Sequence, residues 1–189
     1  MKTLFTFPGQ GTQRPGMLQS LARDETWQVA HEVLGEELMQ LDSPVALQHT
    51  RAVQLALLIA GVSAARQLIS RGLRPDMVCG LSIGAYPAAV IAGVIDFADA
   101  LHLVALRGEL MEQAYPQGYG LTAISGMTLA QVEALVDGQN SFIANINAET
   151  QIVIAGSDSA MAAVAQRALA QGAQRAQRLA ISVPSHCAL

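Results

Sequence analysis

A short apolar strand that runs through a glycine-flanked turn straight into a small-residue helix constrains this chain more than any other feature. Met77-Val78-Cys79-Gly80-Leu81 follows Pro75-Asp76 and reads as a buried strand. Ala85 to Ala92 is small and apolar, the composition of a tightly packed helix. Between them stands Gly80-Leu81-Ser82-Ile83-Gly84, a G-x-S-x-G sequence. A serine on a sharp strand-to-helix turn has its hydroxyl held clear of the sheet, and the glycines permit the tight backbone. The helix N-terminus then supplies N–H groups beside that hydroxyl, where an oxyanion would develop. The bland alternative is an ordinary glycine-flanked βα turn.

The rest of the chain fits an α/β core with a second, smaller unit. Thr3 to Phe7 is a β-rich run that stops at Pro8-Gly9. Glu25 to Leu41 has helical apolar spacing, and Val53 to Ile69 is apolar nearly all round, hence central. Asp96 to Gln113 reads as a further helix. From Leu121 the rhythm shortens: strand Leu121–Ser125, helix Thr128–Val136 with Thr128 as N-cap, strands Phe142–Ile146 and Gln151–Ala155, helix Ser157–Gln171 closed by Gly172, and a last strand over Arg178–Val183. That order, β-α-β-β-α-β, is ferredoxin-like. The fold class expected is therefore α/β, a hydrolase-like core with a parallel sheet plus an inserted ferredoxin-like α+β subdomain. The expected core covers residues 1–117 and 182–189, and the subdomain 118–181.

Composition excludes several function classes. Charged residues make up 14% and hydrophobic ones 51%, so a disordered chain is ruled out. A net charge of −4 and a pI near 5.5 argue against nucleic-acid binding. Cys79 and Cys187 form neither a disulfide framework nor a zinc pattern, so no metal is expected. The most apolar stretch, Ala52 to Ala65, is shorter than the ~20 residues that span a bilayer. With Pro8 and Gly9 interrupting the start, no signal peptide is expected either, and the compartment expected is the cytoplasm.

Three further features carry chemistry. A serine nucleophile needs a base. His31, His49 and His102 lie in helical stretches, whereas His186 follows Ser182-Val183-Pro184-Ser185 in a loop, where catalytic groups are commonly held. Phe7-Pro8-Gly9-Gln10-Gly11-Thr12-Gln13 is a glycine-rich turn that can present backbone N–H groups, though not in a dinucleotide-binding pattern. Arg107 stands in the otherwise apolar helical run Leu103 to Leu110. It must pair with Glu109 or Glu112, snorkel to the surface, or meet an anionic ligand.

Taken together, Phe-Pro-Gly-Gln-Gly-Thr-Gln, Gly-Leu-Ser-Ile-Gly, Leu-Arg-Gly and Val-Pro-Ser-His-Cys resemble the malonyl-CoA:acyl carrier protein transacylase family over all 189 residues. The resemblance implies Ser82 as nucleophile, His186 as acid–base, the N–H groups of Gln10 and Ile83 as oxyanion hole, and Arg107 as partner of the malonyl carboxylate. It implies malonyl-CoA and the phosphopantetheine-type thiol of an acyl carrier protein as substrates, with no bound cofactor. Gln10, Arg14-Pro15-Gly16-Met17 and Leu81 look like the malonate decarboxylase epsilon branch, which implies further subunits of that complex as partners. Members serving fatty acid synthesis usually carry His where this chain has Leu81. The alternatives are a transacylase of fatty acid or polyketide synthesis, a serine hydrolase, or an inactive carrier-docking fragment. Family members continue well past the position of Leu189, so the resemblance also implies a chain truncated at its C-terminus.

Overall fold

The structure, a computed structural model, describes residues 2–115 and 117–189. The chain divides into two compact units, Met1–Leu110 and Met111–Leu189.

The first unit is built on two parallel strands, β1 (Leu4–Phe7) and β2 (Met77–Gly80), with Leu4 opposite Met77 and Phe7 opposite Gly80. Parallel neighbours need a crossover, and here it contains α1 (Glu25–Leu34) and α2 (Thr50–Ser70). Asp24 starts α1 by accepting from the N–H groups of Thr26 and Trp27. The sequence predicts this helix as far as Leu41, but the α-helix ends at Gly35, whose φ is +58°. Residues Gly35–Gln40 continue as a 3₁₀ helix. Leu38 and Leu41 are buried all the same, so their spacing reports burial correctly and helix type incorrectly.

Helix α2 is the centre of this unit. Leu55, Ala56, Leu58, Ile59 and Val62 are fully buried in one cluster with Leu101 and Val104. Each large side chain so buried contributes roughly 1.5–3 kcal/mol of transfer free energy. The helix is 21 residues long and apolar enough to cross a membrane by length and composition, longer than the Ala52–Ala65 stretch suggests. Its burial identifies it as the core helix of this unit. After β2 come a 3₁₀ turn over Ser82–Gly84, α3 (Ala85–Ile91) and α4 (Phe97–Ala114), the last carrying the chain into the second unit.

The second unit runs β3 (Tyr119–Ser125), α5 (Leu129–Glu133), β4 (Ser141–Ala148), β5 (Gln151–Ser157), α6 (Asp158–Ala170) and β6 (Arg175–Arg178). Its strands pair antiparallel in the order β4-β5-β3-β6. Ile124, Ile152 and Ile154 pack with Val132, Met161 and Val164 between sheet and helices. Gln131 closes a capping box on Thr128, as that residue's N-cap reading requires. Gly172 follows α6 at φ +98°, the left-handed stop expected of it.

The last strand corrects the sequence reading. It occupies Arg175–Arg178, not Arg178–Val183. Arg178 ends the pairing because its guanidinium takes over the carbonyls where the chain departs. It donates to the carbonyl oxygens of Tyr119, Leu121, Leu179 and Ile181 and pairs with Asp158 at 3.0 Å. Leu179 and Ile181, apolar enough to suggest a strand, pack instead beside Leu121 and Val153.

Candidate active site

The ends of β1 and β2 meet in the first unit, and the candidate residues of that unit gather there. Phe7 pairs with Gly80, and the Leu81 N–H donates to the Phe7 carbonyl at 3.0 Å. The loop carrying Gln10 and the turn carrying Ser82 and Ile83 therefore leave adjacent strand ends. Ser82 has φ +53°, a left-handed value that costs an L-residue roughly 1–2 kcal/mol. The glycines on either side are there for closeness. A Cβ on Gly80 would overlap the backbone of Gly84 and Ala85, and one on Gly84 would overlap the Phe7 carbonyl. Gly9 lies against Leu81, where a Cβ would come within 3.1 Å of its carbonyl oxygen. The G-x-S-x-G spacing thus forms a sharp elbow, as the sequence predicts.

Arg107 reaches this elbow from α4. Its Nη2 donates to Ser82 Oγ at 3.2 Å, and its Nη1 donates to Gln54 Oε1 at 2.6 Å. Glu109, a candidate partner from the sequence, binds Arg51 instead at 2.8 Å, and Arg51 also bonds Glu37. The hydrogen bonds described for Arg107 thus go to neutral groups. Burial pulls the guanidinium below its usual pKa, with the nearby Tyr86 opposing that shift. An arginine remains cationic under such a shift. The result is a half-buried positive charge beside a serine hydroxyl. Gly108 makes the approach possible: a Cβ there would collide with the backbone of Arg51 on α2.

Gln54 is the residue that sequence reasoning missed. It is completely buried in α2, and its Nε2 donates to Gln10 Oε1 at 3.1 Å. The signal was present, since Gln54 and Ser63 are the polar interruptions of the Ala52–Ala65 run. A buried amide costs roughly 1–3 kcal/mol when its bonds are unmade, so it demands partners. Gln10, Gln54, Arg107 and Ser82 form one hydrogen-bonded chain. Ile83 is fully buried under the elbow.

His186 belongs to the second unit. It lies exposed in the closing loop with φ +59°, the one other non-glycine residue besides Ser82 at positive φ among the described residues. Cys187, next to it, packs with Leu121, Val153 and Ala155. No group of three or more His, Cys, Asp or Glu side chains among the described residues could hold a metal ion.

A parallel strand pair opening through a G-x-S-x-G elbow into a helix, followed by a ferredoxin-like unit, defines an α/β protein with a serine set at its strand ends. Residues 4–189 match the family model described as acyl transferase domain, and the chain belongs to that family. It is 42% identical over 199 aligned residues to malonyl CoA-acyl carrier protein transacylase of Escherichia coli (strain K12), covering 98% of this chain and 64% of that protein. The solved structure of malonyl CoA-acyl carrier protein transacylase from Coxiella burnetii superposes with a TM-score of 0.91 at 37% identity, covering 100% of this chain and 64% of that one. A second solved structure is a type II PKS acyl-carrier protein in complex with its malonyl-transacylase. It gives a TM-score of 0.90 at 39% identity, over 100% of this chain and 65% of that one. The chain spans just under two thirds of the length of these relatives.

Proposed function

We propose that this chain carries the nucleophile and carboxylate-binding residues of a malonyl transferase. In this reading it moves a malonyl group from malonyl-CoA, through malonyl-Ser82, to the phosphopantetheine thiol of an acyl carrier protein. The observation that carries the reading is the 3.2 Å bond between Arg107 Nη2 and Ser82 Oγ. It sets a cation in direct contact with the nucleophile's oxygen, within reach of the free carboxylate that a short acyl group on that oxygen would carry. A planar guanidinium matches a carboxylate with two parallel hydrogen bonds.

In the first half-reaction Ser82 Oγ attacks the malonyl thioester carbon while His186 takes the hydroxyl proton. The N–H groups of Gln10 and Ile83 hold the tetrahedral oxyanion. Collapse breaks the carbon–sulfur bond, and the departing CoA sulfur receives the proton from His186. In the second half His186 takes the proton of the carrier thiol, whose sulfur attacks the Ser82 ester. The Ser82 oxygen leaves and recovers that proton. The chemistry is thiol-to-thiol transfer and calls for no metal or redox cofactor. We assign residues 182–189 functionally to the nucleophile-bearing domain because His186 must reach the Ser82 proton, and residues 118–181 to the subdomain. A cytoplasmic setting suits both substrates.

Two narrower settings remain distinct. The relatives named above are transacylases, and the two structures bear the same function in their descriptions, which favours fatty acid or polyketide synthesis. Leu81 and the Gln10, Arg14–Met17 segment favour malonate decarboxylase. Comparing a free acyl carrier protein with the carrier subunit of malonate decarboxylase as acceptor separates them. A plain serine hydrolase has no use for a carboxylate clamp.

The test is covalent labelling. Malonyl-CoA adds one malonyl group to the native protein at Ser82, and Ser82→Ala takes up none. Labelling that persists in Ser82→Ala refutes the reading, and rapid hydrolysis with no thiol transfer assigns the site to a hydrolase.

A further inference from the structure

We propose that Gln54 is a positioning residue: its buried amide, hydrogen-bonded to the Gln10 side chain, fixes the Arg107 guanidinium and so sets the preference for acyl groups that end in a carboxylate. This rests on the malonyl-transfer reading above. Gln54 offers one acceptor and one donor face. Its Oε1 accepts from Arg107 Nη1 at 2.6 Å, and its Nε2 donates to Gln10 Oε1 at 3.1 Å. A flipped amide would turn N–H toward N–H at Arg107, which can only donate, so the guanidinium fixes the face that Gln54 presents and leaves its N–H for Gln10. The residue itself has no exposure and sits on the core helix α2.

The consequence concerns the geometry of recognition. A guanidinium on a flexible stem can point its fork in many directions. With Nη1 tied to Gln54 and Nη2 to Ser82 Oγ, the fork is fixed beside the nucleophile before substrate arrives. Prefixing the fork spares the ordering cost of binding. The same bond makes Gln54 a control point for charge. A neutral amide anchors Arg107 and leaves its charge for the substrate, whereas a carboxylate in its place would neutralise it.

Two substitutions separate positioning from packing. Gln54→Glu keeps the volume and supplies a competing carboxylate. Gln54→Leu keeps an apolar core and removes the anchor. Rates of Ser82 acylation by malonyl-CoA and acetyl-CoA are measured for the native protein and both variants. We expect Gln54→Leu to raise the KM for malonyl-CoA by about ten- to a hundredfold, the range for losing a hydrogen bond to a charged group, with a much smaller change in kcat. We expect Gln54→Glu to depress malonyl transfer at least as strongly, with acetyl transfer changed only a few-fold in both. Equal losses for malonyl and acetyl in both variants would overturn the proposal, since a packing defect does not distinguish acyl groups. Thermal shift by malonate ion reads Arg107 without chemistry: stabilisation is expected in the native protein and not in Gln54→Glu. Native protein that takes no malonyl group onto Ser82 counts against the transferase reading. The malonate comparison then judges Gln54 alone, and equal stabilisation of both proteins, or none in either, overturns it.

Discussion

At the scale of single residues, the elbow at Ser82 is steric and the Arg107 contact beside it is electrostatic, and they differ in how readily a sequence reveals them. Gly80 and Gly84 are recognisable because nothing larger fits. A Cβ on Gly84 would overlap the Phe7 carbonyl, a backbone atom held by the β1–β2 pairing. Gly84→Ala is therefore expected to destabilise by about 2 kcal/mol or more, at the upper end of ordinary substitutions, as read from urea unfolding of the purified protein. Ser82→Gly should be at least as stable as Ser82→Ala, because relief of the left-handed backbone offsets the entropy that glycine adds to the unfolded chain. Arg107 is a matter of charge. Arg107→Ala should lower malonyl transfer about a hundredfold relative to acetyl transfer, and Arg107→Lys should recover only part of it, since an ammonium lacks the planar fork. Comparing the two thioesters on one preparation checks this, and equal losses would make Arg107 structural. Gln54 was not legible as part of the site. Its identity says that an amide is buried in an apolar helix, but which loops supply its partners is decided by the register of β1 and β2 and by the approach of α4.

At the scale of elements, hydrophobic period predicted the strands and helices well and failed at a left-handed glycine and where a side chain reached the backbone. The run from Glu25 to Leu41 keeps one buried face throughout, yet Gly35 changes the helix type midway. The Leu179 and Ile181 positions look like strand, yet the Arg178 guanidinium claims the carbonyls that a longer β6 would leave to pairing. The turn from α5 into β4 shows the same principle in a form that can be titrated. Asp137 Oδ1 accepts from the N–H groups of Gln139, Asn140 and Ser141 and from the Ser141 hydroxyl. Those backbone bonds hold its carboxyl well below the usual carboxylate range. A folded pKa below the unfolded one means stability that is present above the unfolded value, near 4, and lost as pH falls toward the folded one. Asp137→Ala should therefore unfold more easily than the parent at pH 7, and the difference should shrink steadily below about pH 4. Melting temperatures of both proteins from pH 7 to pH 2.5 test this; a constant gap would show that the turn does not depend on the charge.

At the scale of the whole molecule, the two units differ in how completely each covers its own sheet. The second unit has four antiparallel strands and a closed apolar layer under α5 and α6. An antiparallel sheet tolerates one face toward water, and at roughly 80 residues the unit is above the size at which domains need staples. In the first unit the sheet is a single parallel pair. Phe5, Phe7 and Val78 pack against the helices, but Leu4, Met77 and Leu81 are each about half exposed on or beside the strands. Parallel strands are ordinarily buried on both faces, and here the side chains on the other face stay half exposed. Separately expressed, residues 111–189 should unfold in one cooperative transition and bind little of an apolar dye. Residues 1–110 should bind that dye strongly and melt without a sharp transition, although they carry Gln10, Gln54, Ser82 and Arg107. Circular dichroism melts with dye titration decide it. A cooperative, dye-silent 1–110 would show that α2 and its cluster suffice to hold the elbow, and that the exposed strand face costs the unit little.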